Sequence, residues 1–238
     1  MPAGGPPVQS WSTVVSPGLV LGRLARDPAL DRAVARDEGV AIVRRSSGGG
    51  PVLWDHDLLA LDVALPRGHP LAADDVVAAY RWLGEAIADA LRVVGVADVE
   101  VIDVPRARAA ARAPGAAADA CFGGLSPFEV LAGGRKVVGL SQARRRPGTL
   151  LQAGIPLTLD AARLARLMAR DDAFARALSA TAAGVREFVP GLGAADLVAA
   201  VDAAVAERLG VHLVDDDLTE AERAAVDRAE ADAGDLPH

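Results

Sequence analysis

The 238-residue chain contains few aromatic residues, one cysteine and one lysine. Aromatic residues make up 3% of the sequence, so the core must consist mostly of Ala, Val and Leu. A single cysteine excludes an intrachain disulfide and a cysteine-rich zinc site. The net charge of −7 argues against nucleic-acid binding, since proteins that bind nucleic acids are normally basic. No apolar run reaches the roughly 18–20 residues that span a bilayer, and no signal peptide is evident, so a cytoplasmic protein without a membrane partner is predicted.

The only lysine, Lys136, stands among 25 Lys and Arg residues in the segment Gly133-Gly134-Arg135-Lys136-Val137-Val138-Gly139. An ammonium is a compact point charge, whereas a guanidinium is a rigid planar fork. If any position in this chain requires an amine, Lys136 is the only candidate. The alternative is that this lysine is a compositional remnant on a hairpin.

Short strand-like segments come first in the chain and helical patterns are gathered at its end. Strands are predicted near 18–23, 40–43, 52–53, 58–65, 99–102, 128–132, 135–142 and 149–157. Helices are predicted near 28–36, 71–94, 160–170, 172–187, 194–209 and 217–231. Residues 1–10 are predicted to be a flexible leader, and residues 105–119, which show no period, a loop. This order favours an α+β fold over a doubly wound parallel sheet.

A glycine-rich loop follows the apolar run at 40–43 and reads Arg44-Arg45-Ser46-Ser47-Gly48-Gly49-Gly50. Consecutive glycines permit positive φ angles and a close approach of the backbone to a ligand. Backbone N–H groups beside two arginines favour anion binding. The loop is not a P-loop, because no Gly-Lys-Ser/Thr follows it. A mobile glycine turn is the alternative interpretation.

Cys121 is the one possible thiol nucleophile of the chain. A lone cysteine is usually a small buried apolar residue, and a nucleophilic one needs nearby cations or backbone dipoles and partial exposure. The segment Gly139-Leu140-Ser141-Gln142-Ala143 departs from a serine nucleophile elbow, since no helix follows it. His56 lies between Asp55 and Asp57, but no second histidine stands at ligand spacing, so no metal site is predicted.

Two segments about ninety residues apart together resemble the lipoate-protein ligase and octanoyltransferase family, which is related to biotin protein ligases. The first family pattern, R-R-x-S/T-G-G-G/R-x-V-x-x-D, is matched by residues 44–55. The second, G-x-K-x-x-G-x-A/S-Q-x-R, is matched by residues 134–144, and Leu150-Leu151-Gln152-Ala153-Gly154 follows as in the family. The resemblance covers roughly residues 17–215.

The resemblance implies an α+β catalytic domain over residues 11–238, built on a mixed β-sheet with flanking helices and a helical C-terminal portion, as in class II aminoacyl-tRNA synthetases. It implies transfer of an octanoyl or lipoyl group to a lysine of a lipoyl carrier domain. Such domains belong to 2-oxoacid dehydrogenase E2 subunits and the glycine cleavage H protein. By the matched positions, Cys121 carries the acyl thioester and Lys136 holds the acyl carbonyl or an acyl-adenylate phosphate. The implied acyl- or nucleotide-binding residues are Arg44, Arg45, Ser46, Ser47, Gly48, Gly49, Gly50, Val52, Asp55, Gly139, Ser141 and Gln142.

Three functions remain open on this resemblance. A transferase takes octanoyl from acyl-carrier protein through Cys121 and needs no cofactor. A ligase activates free lipoate with ATP and Mg²⁺ and needs no cysteine. A non-catalytic acyl- or nucleotide-binding relative is the third, because Trp54 and Ala153 stand where the family often has histidine. Cys121, and the absence of the extra C-terminal domain found in many ligases, favour the transferase.

Overall fold

The computed structural model describes residues 5–23 and 29–233, and side chains up to residue 228. Within these residues the strands are β1 (Val8–Ser12), β2 (Gly18–Leu21), β3 (Ala41–Arg44), β4 (Val52–Trp54), β5 (Leu58–Pro66), β6 (Val99–Val101), β7 (Val130–Ala132), β8 (Arg135–Arg145) and β9 (Gly148–Pro156). The helices are α1 (Arg32–Asp37), α2 (Arg81–Val93), α3 (Val104–Arg112), α4 (Ala161–Leu167), α5 (Asp172–Thr181), α6 (Ala194–Leu209) and α7 (Glu220–Ala233). Short 3₁₀ turns lie at Ala78–Tyr80 and Val185–Glu187.

The strands form a large sheet and a small one. The large sheet has the order β1-β5-β9-β8-β7-β6, and each pair of neighbours is antiparallel. The small sheet has the order β3-β2-β4, in which β2 is parallel to β3 and antiparallel to β4. The predicted α+β class is confirmed. Mixed pairing occurs in the small sheet, whereas the described strands of the large sheet are paired antiparallel throughout.

One face of the large sheet is covered by α2 and α6. Leu83, Ile87 and Leu91 recur along α2 at helical spacing and are fully buried. They belong to one apolar core with the fully buried Leu61 and Val63 of β5 and with residues of α6. Since successive strand residues point to opposite faces, Ala60 and Asp62 of β5 face away from these helices.

The opposite face of the large sheet is covered by the small sheet and by α4 and α5. Their apolar side chains form a second core, in which Leu19, Leu167 and Leu178 are fully buried and Phe122 nearly so. Asp160 caps α4 and Asp171 caps α5, each accepting a backbone N–H of the first turn. A cavity remains between the two sheets, and the candidate site lies there.

The predicted flexible leader is wrong for its last three residues. Residues 8–10 belong to β1, which pairs with β5 from Val8 opposite Ala64 to Ser12 opposite Ala60. Trp11 Nε1 also donates a hydrogen bond of 2.7 Å to Asp202 of α6. Residues 1–4 of that leader lie outside the described part of the chain.

Two further predictions about helices are corrected. The loop predicted at 105–119 contains α3, which begins with Asp103 as its cap and a proline in its first turn, where no N–H is needed. The helix predicted at 71–94 begins only at Arg81, directly after the 3₁₀ turn at Ala78–Tyr80. Asp75 accepts the backbone N–H groups of Val77 at 2.7 Å and Ala78 at 3.3 Å, so helical geometry starts after Asp75 and not at residue 71. The predicted hairpin around Gly133-Gly134 is confirmed, with both glycines at positive φ.

Among residues 5–23 and 29–233, no helix combines the length and the hydrophobicity needed to cross a membrane.

Candidate active site

A cavity of about 250 Å³ lies between the small sheet and the large sheet. Its apolar wall consists of Val20, Val43, Val52, Trp54, Leu58 and Phe122. Its polar lining consists of Arg44, Arg45, Asp62, Cys121, Ser141 and Gln152. The cavity therefore combines an apolar lining with several polar groups and a single thiol.

The floor of the cavity is made of very small residues on three adjacent strands. Ala60 of β5 lies opposite Gly154 of β9, and Gly154 lies opposite Gly139 of β8. A Cβ at Gly139 would lie 3.8 Å from Cys121 Sγ and 3.6 Å from Phe122 Cζ. Since the two glycines carry no side chain and Ala60 carries only a methyl group, the floor beneath the Cys121 thiol consists largely of backbone.

Cys121 is held by its backbone and is partly exposed. Its N–H donates to the carbonyl of Pro51 at 2.9 Å. Its Sγ lies 3.8 Å from Arg45 Nη2, within the range of a hydrogen bond to sulfur. The guanidinium of Arg45 therefore directs an N–H donor at the sulfur, on the side of the cavity.

The glycine loop packs closely against the Cys121 segment. A Cβ at Gly50 would collide with the carbonyl of Asp119 and lie 2.9 Å from Cys121 N. Gly49 has φ +107°, and a Cβ there would collide with Arg45 Nη2. Glycine at positions 49 and 50 therefore permits the close packing of the loop on Arg45 and the cysteine segment.

Lys136 lies behind Cys121, and 1% of its surface is exposed. Its Nζ is 2.7 Å from Glu129 Oε1 and donates to the carbonyls of Cys121 at 2.7 Å and Gly124 at 3.0 Å. These three oxygens match the three N–H donors of an ammonium. Lys136 therefore fixes the backbone of the cysteine segment in this structure.

The partner of Lys136, Glu129, is also buried, with 2% of its surface exposed. Its carboxylate accepts the backbone N–H groups of Ser126 at 2.7 Å and Leu140 at 3.2 Å in addition to the lysine. Burial raises the pKa of Glu129, and the charge of Lys136 opposes that rise. The pair ties the cysteine segment to β8.

A row of polar side chains crosses the cavity face of the large sheet. Gln152 Nε2 donates to Asp62 Oδ1 at 2.8 Å, and Ser141 Oγ lies 3.4 Å from Gln152 Oε1. Ser141 Oγ also lies 3.3 Å from Ser47 Oγ of the glycine loop. Burial raises the pKa of Asp62 above its ordinary value, and the Gln152 hydrogen bond lowers it to a smaller extent.

The residues expected from the sequence fall into three groups by position. Those that line the cavity are Arg44, Arg45, Val52, Cys121, Gly139 and Ser141. Those that contact the lining residues without lining the cavity are Ser47, Gly48, Gly49, Gly50 and Lys136; the carbonyl of Gly48 accepts hydrogen bonds from Arg45 at 2.7 and 3.1 Å. Those that lie away from the cavity lining are Ser46, Asp55 and Gln142.

Two residues of the last group have structural roles. Asp55 accepts the backbone N–H of Asp57 at 3.1 Å, and burial raises its pKa. Gln142 points to the other face of β8 and donates to the carbonyl of Val76. Arg144 donates to carbonyls of the same loop, at Ala73 and Asp74, so this part of β8 holds residues 73–76 in place.

Sequence reasoning missed Asp62 and Glu129 as parts of this region, and it quoted Gln152 within the family segment at 150–154 without assigning it a role. A signal for Asp62 exists, since it is the only charged residue in the nine-residue strand β5. A lone carboxylate in such a strand indicates either a costly burial or a functional surface. Gln152 and Glu129 are ordinary polar residues in the sequence, and only their partners distinguish them.

The chain is similar in sequence to octanoyltransferases. It is 34% identical over 139 residues to octanoyltransferase LipM of Exiguobacterium sp., covering 58% of this chain and 49% of that protein. It is 31% identical over 156 residues to octanoyltransferase LipM of Moorella thermoacetica, covering 65% and 55%. The chain thus spans about half the length of these curated relatives.

The fold is shared with solved lipoate-protein ligases. The bipartite lipoate protein ligase of Thermoplasma acidophilum, determined with its E2 lipoyl domain, superposes with a TM-score of 0.76 at 20% identity, covering 100% of this chain and 88% of that one. A lipoate-protein ligase A bound with ATP gives 0.74 at 20% identity, covering 96% and 83%. The model of the lipoyl protein ligase A/B catalytic domain matches residues 9–209, which include both sheets and the cavity. Since it matches well over half of the chain, this protein belongs to the lipoyl protein ligase A/B catalytic domain family.

Proposed function

We propose that this protein transfers an octanoyl or lipoyl group to a lysine of a lipoyl carrier domain, through a thioester on Cys121. The observation that carries the proposal is a cysteine Sγ facing an apolar cavity, with Arg45 Nη2 at 3.8 Å. Similarity to proteins named octanoyltransferase supports the same chemistry. The donor is octanoyl-acyl-carrier protein, and no cofactor is needed.

In the first half of the reaction, the Cys121 thiolate attacks the carbonyl carbon of the donor thioester. A new C–S bond forms to Sγ, the donor C–S bond breaks, and the departing thiolate takes up a proton. The acyl tail lies against the apolar side chains of Val20, Val52 and Phe122. Arg45, whose Nη2 lies 3.8 Å from Sγ, stabilises the negative charge that develops in the transition state.

In the second half, the amine of the carrier lysine attacks the thioester carbonyl and Cys121 leaves as a thiolate. Lys136 acts as a positioning residue, since its ammonium holds the Cys121 carbonyl at 2.7 Å. To hold the acyl carbonyl as well, it would have to release one of its three protein oxygens. The carriers are lipoyl domains such as those of E2 subunits and the glycine cleavage H protein.

A second candidate is an ATP-dependent lipoate-protein ligase, in which Mg²⁺ and ATP form lipoyl-AMP and Cys121 is dispensable. The shared fold with a ligase bound with ATP favours it, at a TM-score of 0.74. The presence of Cys121 inside the cavity favours the transferase.

Intact-mass measurement distinguishes these functions. The protein is incubated with octanoyl-acyl-carrier protein, or with lipoate, ATP and Mg²⁺, and a lipoyl domain is then added. The transferase predicts an octanoyl adduct that is absent from Cys121→Ala and moves to the lipoyl domain. AMP release with full activity of Cys121→Ala would establish the ligase, and ligand binding without either reaction would indicate a non-catalytic relative.

A further inference from the structure

Asp62 lies on the cavity face of the large sheet, one row away from the thiol. Asp62 is paired with Gln152, as Ala60 is with Gly154. Two residues along a strand correspond to about 7 Å. The row formed by Asp62 and Gln152 therefore lies about 7 Å from the parallel row of Ala60, Gly154 and Gly139, which lies beneath Cys121. A substrate group bound at Asp62 can therefore reach the reacting carbon with a few bonds.

Asp62 lies near the edge of the large sheet and is half-buried, whereas Leu58 and Val52, elsewhere in the cavity lining, are 5% exposed. On β1, the residue paired with Asp62 is Ser10, which is exposed on the strand that edges the sheet. A group that enters from solvent over this edge therefore reaches Asp62.

The carboxylate of Asp62 forms no ion pair with another described residue, and its hydrogen-bond partner is the uncharged Gln152. The charged or titratable groups that line the same cavity are Arg44, Arg45 and Cys121. Burial of a carboxylate costs free energy that one hydrogen bond offsets only in part, and a bound cation would offset more of it. A lysine ammonium has the complementary charge.

We infer that Asp62 receives the acceptor lysine, binding its ε-ammonium at the cavity entrance and taking one proton from it. The inference rests on the proposed acyl transfer through Cys121. It assigns a carboxylate on β5 to the second half of that reaction. Because burial makes this carboxylate less acidic than an ordinary aspartate, it is a better base near neutral pH.

The step balances in atoms and electrons. The ammonium gives one proton to the Asp62 carboxylate and becomes an amine. Its lone pair forms the C–N bond to the acyl carbon, and the pair of the C–S bond leaves with Cys121 Sγ. A second proton passes from the attacking nitrogen to that sulfur, and the third remains on the amide.

The test separates the two halves of the reaction with the isostere Asp62→Asn. Octanoyl-enzyme is prepared from octanoyl-acyl-carrier protein, isolated, and mixed with a lipoyl domain while intact masses are followed. Asp62→Asn is expected to form octanoyl-enzyme to the wild-type extent, which also shows that it is folded. Its transfer to the lipoyl domain is expected to be about 100-fold slower, the usual size of a general-base effect.

Two readouts exclude a merely structural role. Hydroxylamine is uncharged at neutral pH and needs no base, so it should release octanoyl from Asp62→Asn and wild type at equal rates. The rate of transfer to the lipoyl domain should fall in the wild type as pH drops through the Asp62 pKa. In Asp62→Asn the rate of transfer should rise steadily with pH, because the acceptor lysine itself loses its proton. The difference in rate between the variant and wild type should therefore become smaller as pH rises.

Asp172→Asn makes the same chemical change at an exposed position in the first turn of α5 and serves as the control. If wild type forms no octanoyl-enzyme, the proposed function fails. If wild type completes both halves and Asp62→Asn transfers at the wild-type rate, the role of Asp62 is refuted while the proposed function stands. If Asp62→Asn forms octanoyl-enzyme more slowly than wild type, the role of Asp62 toward the acceptor lysine is also refuted. The same holds if hydroxylamine releases octanoyl from the variant as slowly as the lipoyl domain does. In either case Asp62 and Gln152 would act on the donor or on the bound acyl group.

Discussion

At the residue scale, Lys136 explains why this chain retains one ammonium among its guanidinium groups. Three oxygens, from Glu129, Cys121 and Gly124, converge on a single nitrogen within 3.0 Å. A planar guanidinium directs its donors outward in a fork and cannot satisfy three oxygens around one point. The site is also 1% exposed and leaves no room for a larger head group.

Removing one member of the buried pair should be strongly destabilising. Lys136→Met leaves Glu129 without its cation, and breaking a buried pair costs about 3–5 kcal/mol. Burial raises the pKa of Glu129, and without Lys136 only the backbone hydrogen bonds from Ser126 and Leu140 oppose that rise. The folded state then binds the proton more tightly than the unfolded state, so the destabilisation should grow as pH rises above the ordinary glutamate pKa.

Urea unfolding of wild type, Lys136→Met, Glu129→Gln and the double variant across acidic to neutral pH measures this effect. The double variant should be less destabilised than the two single losses added together, since no charge is left buried. If the losses in free energy of unfolding were strictly additive and did not change with pH, Lys136 and Glu129 would not be energetically coupled. Octanoyl-enzyme formation should also fall in Lys136→Met, because the Cys121 carbonyl loses its donor.

At the element scale, the glycine loop and the cysteine segment form one unit, although more than sixty residues separate them in the chain. The carbonyl of Pro51 accepts the Cys121 N–H, and Gly50 packs on the same segment. The site therefore depends on the backbone path of a loop that joins β3 to β4.

Gly50→Ala should displace Cys121 and slow octanoyl loading by at least about 10-fold, the effect of losing roughly 1.4 kcal/mol of transition-state stabilisation. The reason is steric, since a Cβ at Gly50 has no space against Asp119 and Ala120. Loading is measured as the rate of adduct formation by intact mass. Gly115→Ala is the matched control, because a Cβ there meets nothing within 4 Å. Equal loading by both variants would show that the loop does not position the thiol.

At the scale of the whole molecule, residues of both sheets line the cavity. A group that fills the cavity should therefore increase the free energy of unfolding. An octanoyl chain on Cys121 would pack against apolar side chains of β2, β3, β4 and the Cys121 segment. An acetyl group on the same sulfur would leave most of the cavity empty.

The octanoyl-enzyme should therefore unfold at a higher Tm than the acetyl-enzyme. Each buried CH₂ group contributes about 0.8 kcal/mol, so a gain of roughly 2–5 kcal/mol is expected for the longer chain. For a protein of this size each kcal/mol raises Tm by about 2–4 °C. Differential scanning calorimetry of the two isolated acyl-enzymes measures the shift. Equal Tm values would place the octanoyl tail outside the cavity.

Much of the secondary structure followed from local patterns. Apolar periodicity predicted α6 and the core of α2, and the Gly133-Gly134 pair predicted the β7–β8 hairpin. The errors arose where side chains compete with the pattern. Asp75 takes the N–H groups that an earlier helix would use, and Asp103 starts a helix in a segment that has no hydrophobic period.

The sequence by itself determined the α+β class, the family and the candidate roles of Cys121 and the glycine loop, because glycine spacing and hydrophobic periodicity are local properties. Tertiary structure alone placed Asp62 beside Gln152, ninety residues away, and set the Lys136 ammonium on Glu129 and the cysteine backbone. The physical reason is that burial, charge pairing and the shape of a cavity arise from contacts between strands that are distant in the chain. The type of a polar residue does not show whether it lies on the surface or in a cavity, because that depends on the residues packed around it.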